Sequence, residues 1–151
     1  MPKQFIPKPG QIDFTHIKRV PVVNCVIRYK DKILLVKRSD DIHFYPGYWN
    51  GISGFLDDGR SIEEKLKAEL NEEIGLKEAD ILSLVQGEPF EEEDLKYKKT
   101  WIIHPALLDV RTDRITLDWE AKECRWVDLK EVKDFQILPG FEKVLAALGL
   151  A

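Results

Sequence analysis

Cysteine is scarce in this sequence. Of 151 residues only Cys25 and Cys124 carry thiols, and neither has a Cys-x-x-Cys neighbour or a second ligand pair at zinc spacing. That excludes a disulfide-stapled scaffold and a structural zinc site as the source of stability. Long apolar runs are missing as well, none approaching the ~20 residues that span a bilayer. The first ten residues carry prolines and lysines where a secretory leader would have an apolar centre, so a cytoplasmic protein is the expectation. There is no basic excess. A formal net charge of −4 disfavours a general nucleic-acid or anionic-membrane surface, because either partner would be repelled over most of the chain. No internal repeat or low-complexity tract is present.

What remains is a globular balance, 44% apolar and 33% charged, in a length suited to one domain over residues 1–151. Pro2, Pro7 and Pro9 make residues 1–19 read as an irregular arm. Val20–Tyr29 and Lys32–Lys37 are β-rich runs joined by Lys30-Asp31, a predicted hairpin with Val22, Val26, Ile33 and Leu35 as core positions. Ser39–Ile52 is a turn-rich stretch crowded with aromatics, which either pack on the domain or stack on a base; His43 reads as a polar loop residue.

Further along, Ile81–Gly87 is a strand, and the charged segment Glu88–Lys99 is a solvent-exposed hairpin loop. Thr100–Val110 is an apolar strand in which His104-Pro105 implies a bulge or an edge. Ile115–Leu117 and Cys124–Val127 are shorter strands, Asp128–Phe135 a turn or short helix, and Phe141–Leu148 a terminal helix covering one sheet face. Strands and helices in this mixed order predict α/β layers.

The most informative stretch is Gly54–Leu76, a glycine-bearing loop leading into a helix. Ser61 is a good N-cap, Glu64 completes a capping box, and Gly75 supplies the left-handed stop. Ile62, Leu66, Leu70 and Ile74 make one apolar stripe. Glu69, Glu72 and Glu73, at i, i+3 and i+4, project from a neighbouring face close enough to share one ion. Hard carboxylate oxygens beside a flexible glycine loop suit Mg²⁺ or Mn²⁺, although a solvated acidic helix face has the same pattern. Lys37 and Arg38, ending the second strand, either steady phosphates or form an exposed strand end.

This stretch resembles the signature of Nudix hydrolases: Gly, five residues, Glu, seven residues, Arg-Glu-aliphatic-any-Glu-Glu-any-Gly-aliphatic. Gly54, Glu69, Leu70, Glu72, Glu73, Gly75 and Leu76 fall on its positions without a gap. Two positions depart: Arg60 stands at the first Glu and Ala68 at the Arg. The resemblance extends over about Val20–Leu148 and implies an α/β/α sandwich with a mixed sheet. It implies Mg²⁺-dependent hydrolysis, with Mn²⁺ as an alternative, of a phosphoanhydride bond in a nucleoside triphosphate, a nucleoside diphosphate derivative or another small diphosphate. Glu69, Glu72 and Glu73 would then hold the metal, with Gly54, Lys37, Arg38 and Arg60 toward the substrate. Arg60 reads otherwise, and more readily, as a solvated loop charge. The water's proton would go to Glu69 or to one of Glu91, Glu92, Glu93 and Glu120. In the family the missing Arg helps orient the glutamates, so Ala68 supports a rival reading: a weakened module that binds a nucleotide or partner without turnover. An isoprenoid diphosphate isomerase on the same fold would need a catalytic Cys, and neither thiol lies in such a motif. Oligomeric state, homodimer included, stays open.

Overall fold

The computed structural model describes residues 17–56 and 59–150. Residues 1–16 of the expected arm, together with Asp57 and Asp58, lie outside these. The chain runs β1 (Arg19–Tyr29), β2 (Lys32–Arg38), β3 (Trp49–Asn50), β4 (Ile52–Phe55), α1 (Ile62–Ile74), β5 (Ile81–Gln86), β6 (Phe90–Asp94), β7 (Lys99–Val110), β8 (Ala121–Val127) and α2 (Phe141–Ala147). Tight 3₁₀ turns occupy Glu78–Asp80 and Leu129–Asp134. The sheet order is β3-β2-β1-β7-β5, with β4 also on β1, β6 on β7 and β8 on β2. β1 and β7 run parallel and the other pairings are antiparallel, so the sheet is mixed.

The near-continuous apolar runs of β1 and β2 follow from burial on both faces. Val23, Cys25, Ile27, Leu34 and Val36 pack with Leu66, Leu70 and Ile74 of α1. Val26, Ile33 and Leu35 pack with Phe141, Val144 and Leu145 of α2 on the opposite face. The result is the expected α/β/α sandwich. The β1–β2 hairpin turns where predicted, with Lys30 at a φ of 56°. Among the described residues, no helix is long and apolar enough to cross a membrane.

Three local expectations are corrected. Glu88–Lys99 is not a loop: β6 zips onto β7 from Phe90 opposite Ile103 to Asp94 opposite Lys99. Its charge masked a period-2 alternation, which ends on buried Asp94 accepting from the Tyr45 hydroxyl (2.7 Å) and the Trp101 indole N–H (2.8 Å). His104-Pro105 makes no bulge against β1, whose register with β7 is continuous from Arg19–Thr100 to Arg28–Asp109. β7 is not an edge either; Pro105 falls in the gap on its other side, between the last β6 partner, Ile103, and the first β5 partner, Ala106. Its missing N–H therefore breaks no ladder bond. Ile115–Leu117 is irregular because its backbone serves α1: the Thr116 N–H donates to the Ile74 carbonyl (2.9 Å) and the Asp118 N–H to the Glu73 carbonyl (3.0 Å). These are orphan carbonyls of a helix C-terminus.

Candidate active site

The site begins with the ends of α1. The Ser61 hydroxyl oxygen accepts from the Glu64 N–H (3.1 Å) and its own O–H donates to the Glu64 carboxylate (3.0 Å), which sets the start of the helix. Gly75 closes it at φ 72°, and the Leu76 N–H folds back on the Leu70 carbonyl (3.1 Å). With the apolar stripe seated on the sheet, Glu69 and Glu73 are turned toward β4 and the start of β8.

Gly54 explains itself here. A Cβ at that position would lie 3.2–3.3 Å from the Glu69 side chain, so any larger residue on β4 would crowd that carboxylate. On its other side Glu69 meets Lys65, whose Nζ is 3.0 Å from Oε1. The lysine is 3% exposed.

The third carboxylate comes from the turn before β8. The Asp118 N–H is held by the Glu73 carbonyl, the Glu120 carbonyl accepts from the Ser39 N–H (2.8 Å), and the Asp118 carboxylate accepts from the Glu120 N–H (2.9 Å). Fastened to α1 on one side and β2 on the other, this turn brings Glu120 to Glu69 and Glu73. Ligand oxygens of the three lie within 4.8 Å of one another. Burial, then the neighbouring Glu120 and Glu69 carboxylates, push Glu73 well above the usual carboxylate range. Burial also raises Asp118.

Arg38 sits across this cleft, where β2 and β8 slip register after Lys37. Its Nε donates to the Phe44 carbonyl (2.9 Å). Burial lowers its guanidinium from the ordinary value, opposed by the charges of Glu73 and Glu120. Arg38, Glu73, Glu120, Gly51, Ile52 and Ser53 are among the residues lining an open depression.

Not every expected site residue gathers there. Glu72 is exposed and lies outside the three-carboxylate group. Lys37 shares the α2 face of β2 with Ile33 and Leu35, its Nζ 6.0 Å from the centre of the Trp49 ring, so the sheet separates it from the glutamates. Arg60 is exposed just ahead of the Ser61 cap. Of the candidate bases, Glu91 pairs with Arg19 and Glu92 with Lys143, while Glu120 alone of the four joins the group. The aromatics of the β2–β3 loop pack edge to face on one another, Phe44 against Tyr97 and Trp101, Tyr45 against Tyr48 and Tyr97. Burial raises the Cys25 thiol to about 12 and also raises Cys124, so neither is poised as a nucleophile. Lys65 and Asp118 went unremarked in the sequence. Lys65 was findable from its i, i+4 spacing to Glu69, and Asp118 from the Asp-x-Glu turn pattern.

The donor set fits a divalent cation. It consists of hard carboxylate oxygens on two separately anchored elements, at a separation that would be repulsive were all three ionised without a counter-charge. The cradle at Gly54 keeps one of them free to reach inward.

Comparison with known proteins extends beyond the motif. The NUDIX domain model matches residues 18–148. The nucleoside triphosphatase NudI of Klebsiella pneumoniae is 28% identical over 139 residues, covering 85% of this chain and 96% of that protein. The NUDIX domain of Shewanella oneidensis NrtR, solved with ADP ribose, superposes with a TM-score of 0.72 at 17% identity, covering 91% of this chain and 92% of that one. A Caenorhabditis elegans Ap4A hydrolase superposes at 0.70 and 18% identity, covering 86% and 95%.

Proposed function

Because this chain belongs to the NUDIX family, whose domain model matches residues 18–148, we propose that it is a pyrophosphohydrolase cleaving a phosphoanhydride bond in a nucleoside triphosphate or nucleoside diphosphate derivative. Carrying the reading is the meeting of Glu69 and Glu73 from α1 with Glu120 from the turn before β8. The NudI relative is named a nucleoside triphosphatase, and the structural neighbours carry ADP ribose or act on Ap4A; those names supply the first substrates to try.

Glu69, Glu73 and Glu120 would hold Mg²⁺, or Mn²⁺ in its place. Such a cation supplies charge neutralisation at the diphosphate and acidifies a water toward attack on phosphorus. The chain's own part is positioning. Gly54 and Lys65 fix Glu69, the Thr116–Asp118 backbone fixes Glu120 relative to Glu73, and Arg38 faces the same depression with a permanent positive charge for a phosphate oxygen. Glu69 or Glu120, the two candidate bases in this group, would accept the water's proton. Lys37 has no route to this depression without crossing the sheet, and Arg60, exposed ahead of the Ser61 cap, is not among the residues lining it. Glu72, exposed one residue before Glu73, enters as a ligand through the resemblance alone.

A panel of nucleoside triphosphates, ADP-ribose and dinucleoside polyphosphates with Mg²⁺ or Mn²⁺, read by product mass, tests the proposal. Glu73→Gln and Glu120→Gln are expected to lower kcat by at least ~100-fold with circular dichroism unchanged, a loss typical of removing one transition-state-stabilising group. Glu72→Gln decides whether that side chain joins them. Full turnover in Glu73→Gln would defeat the mechanism. Titrated nucleotide binding with no turnover of any panel member would favour the weakened module that Ala68 suggests.

A further inference from the structure

We propose that Lys65 is a positioning residue for the metal-binding carboxylates, holding Glu69 in the geometry that cation capture requires. The inference rests on the metal reading of the site and adds a residue that the motif itself does not contain.

An ammonium group is strongly hydrated, and burying it is unfavourable unless it is paired. Lys65 is nevertheless 3% exposed, flanked on α1 by Leu66, which is itself in the core. At this place in an amphipathic helix an apolar side chain would satisfy the packing, so what the lysine adds is its charge. That charge sits 3.0 Å from Glu69 Oε1, one helical turn ahead. Glu69 thus lies between Gly54, where an added Cβ would come within 3.2–3.3 Å of its side chain, and the Lys65 ammonium. A carboxylate so confined loses little rotational freedom when it binds an ion, whereas an unconfined one must be ordered first.

The neighbouring sequence fits the same assignment. Three residues on stands Ala68, half-buried and without charge, at the position where the resembled signature has its Arg. The helix thus carries its cation for Glu69 one turn earlier than the signature does.

Charge and geometry predict opposite results, which makes the inference testable. If the ammonium acted only as a nearby positive charge it would repel the metal, and removing it would tighten metal binding. If it positions Glu69, removing it loosens the ligand and weakens binding. The experiment is Mn²⁺ titration of the full chain without nucleotide, following the electron paramagnetic resonance of free Mn²⁺, in wild type, Lys65→Met, Lys65→Arg and the double variant Lys65→Met/Ala68→Arg. Lys65→Met is expected to bind about 10- to 100-fold more weakly, the usual cost of removing a group that orients a metal ligand. Lys65→Arg should stay close to wild type, and the double variant should recover most of the loss. Circular dichroism reports folding, and Lys65→Ala, which keeps high helix propensity, replaces Lys65→Met if the latter does not fold. Binding in the uncharged variant as tight as wild type or tighter overturns the inference. So does a loss that neither arginine restores. Failure of wild type to bind Mn²⁺ would instead defeat the metal reading on which the inference stands.

Discussion

Arg28 and Asp109 face one another across the parallel pair β1–β7, Nε to Oδ1 at 2.7 Å and Nη2 to Oδ2 at 2.9 Å. Such a two-pronged pair is geometrically specific. With the Arg28 hydrogen bonds as the main cause, the Asp109 carboxyl lies below its ordinary range. A carboxyl depressed in the folded state contributes stability that is present above its unfolded pKa and lost as pH falls through the folded one. Asp109→Asn should therefore cost about 1 kcal/mol at neutral pH, the upper end for partly exposed pairs. The gap from wild type should close as pH drops below about 4. Urea melts at both pH values check this; a gap unchanged by acid would mean that the pair is not what the substitution removes. Nothing in the sequence announces the pair, since its members are 81 residues apart and meet only through strand register. Glu69 and Glu73 were legible for the opposite reason, being four residues apart on a helix whose period fixes their common face. Glu120 was one of four acids outside α1 that stood beside Glu69 as candidate bases. Its selection required the Asp118 turn to be fastened to the end of α1, a tertiary fact.

At the scale of elements, α1 was readable at both ends because caps are local chemistry: Ser61 and Gly75 do what their side chains and missing side chain dictate. What escaped the sequence were segments whose backbone is satisfied by distant partners. Ile115–Leu117 has the apolar content of a strand, yet Thr116 within it donates to the Ile74 carbonyl and Asp118 just after it to that of Glu73, and Pro105 is tolerated inside β7 because two strands abut opposite it. The two ends of α1 should differ under mutation. Ser61→Ala removes both hydroxyl bonds to Glu64 and is expected to cost about 1 kcal/mol, with metal affinity unchanged. Gly75→Ala puts a Cβ on a left-handed residue, costing about 1–2 kcal/mol. That Cβ would also lie 3.2 Å from the Thr116 side chain, in the segment that leads to Glu120. Stability loss accompanied by weaker Mn²⁺ binding is expected for Gly75→Ala alone. Equal metal affinity in both variants would show that the 116–120 segment is positioned independently of the helix end.

For the molecule as a whole, the site is a junction. α1, β4, the β2 bulge and the turn before β8 each supply one wall, and three mutually repelling carboxylates sit where they meet. A cation taken up there binds the folded chain and not the unfolded one, so it must stabilise the whole domain by mass action. At a free Mg²⁺ concentration of about 100 times Kd the gain is about 2.7 kcal/mol. For a chain of this length that is a rise in Tm of roughly 5–10 °C. The pH dependence follows from Glu73, whose carboxyl is raised by burial and by its two acidic neighbours. Raised in the folded state, it contributes stability that is complete below its unfolded pKa and lost as pH climbs through the folded value. The metal-free protein should thus lose part of its stability as pH rises from the ordinary carboxylate range upward, while the increment from Mg²⁺ grows over the same range because protons no longer compete for Glu73. Thermal melts in Mg²⁺ and in chelator across that range measure both trends. If the Mg²⁺ increment persisted undiminished in a Glu73→Gln/Glu120→Gln variant, the stabilising cation would have to sit away from the junction.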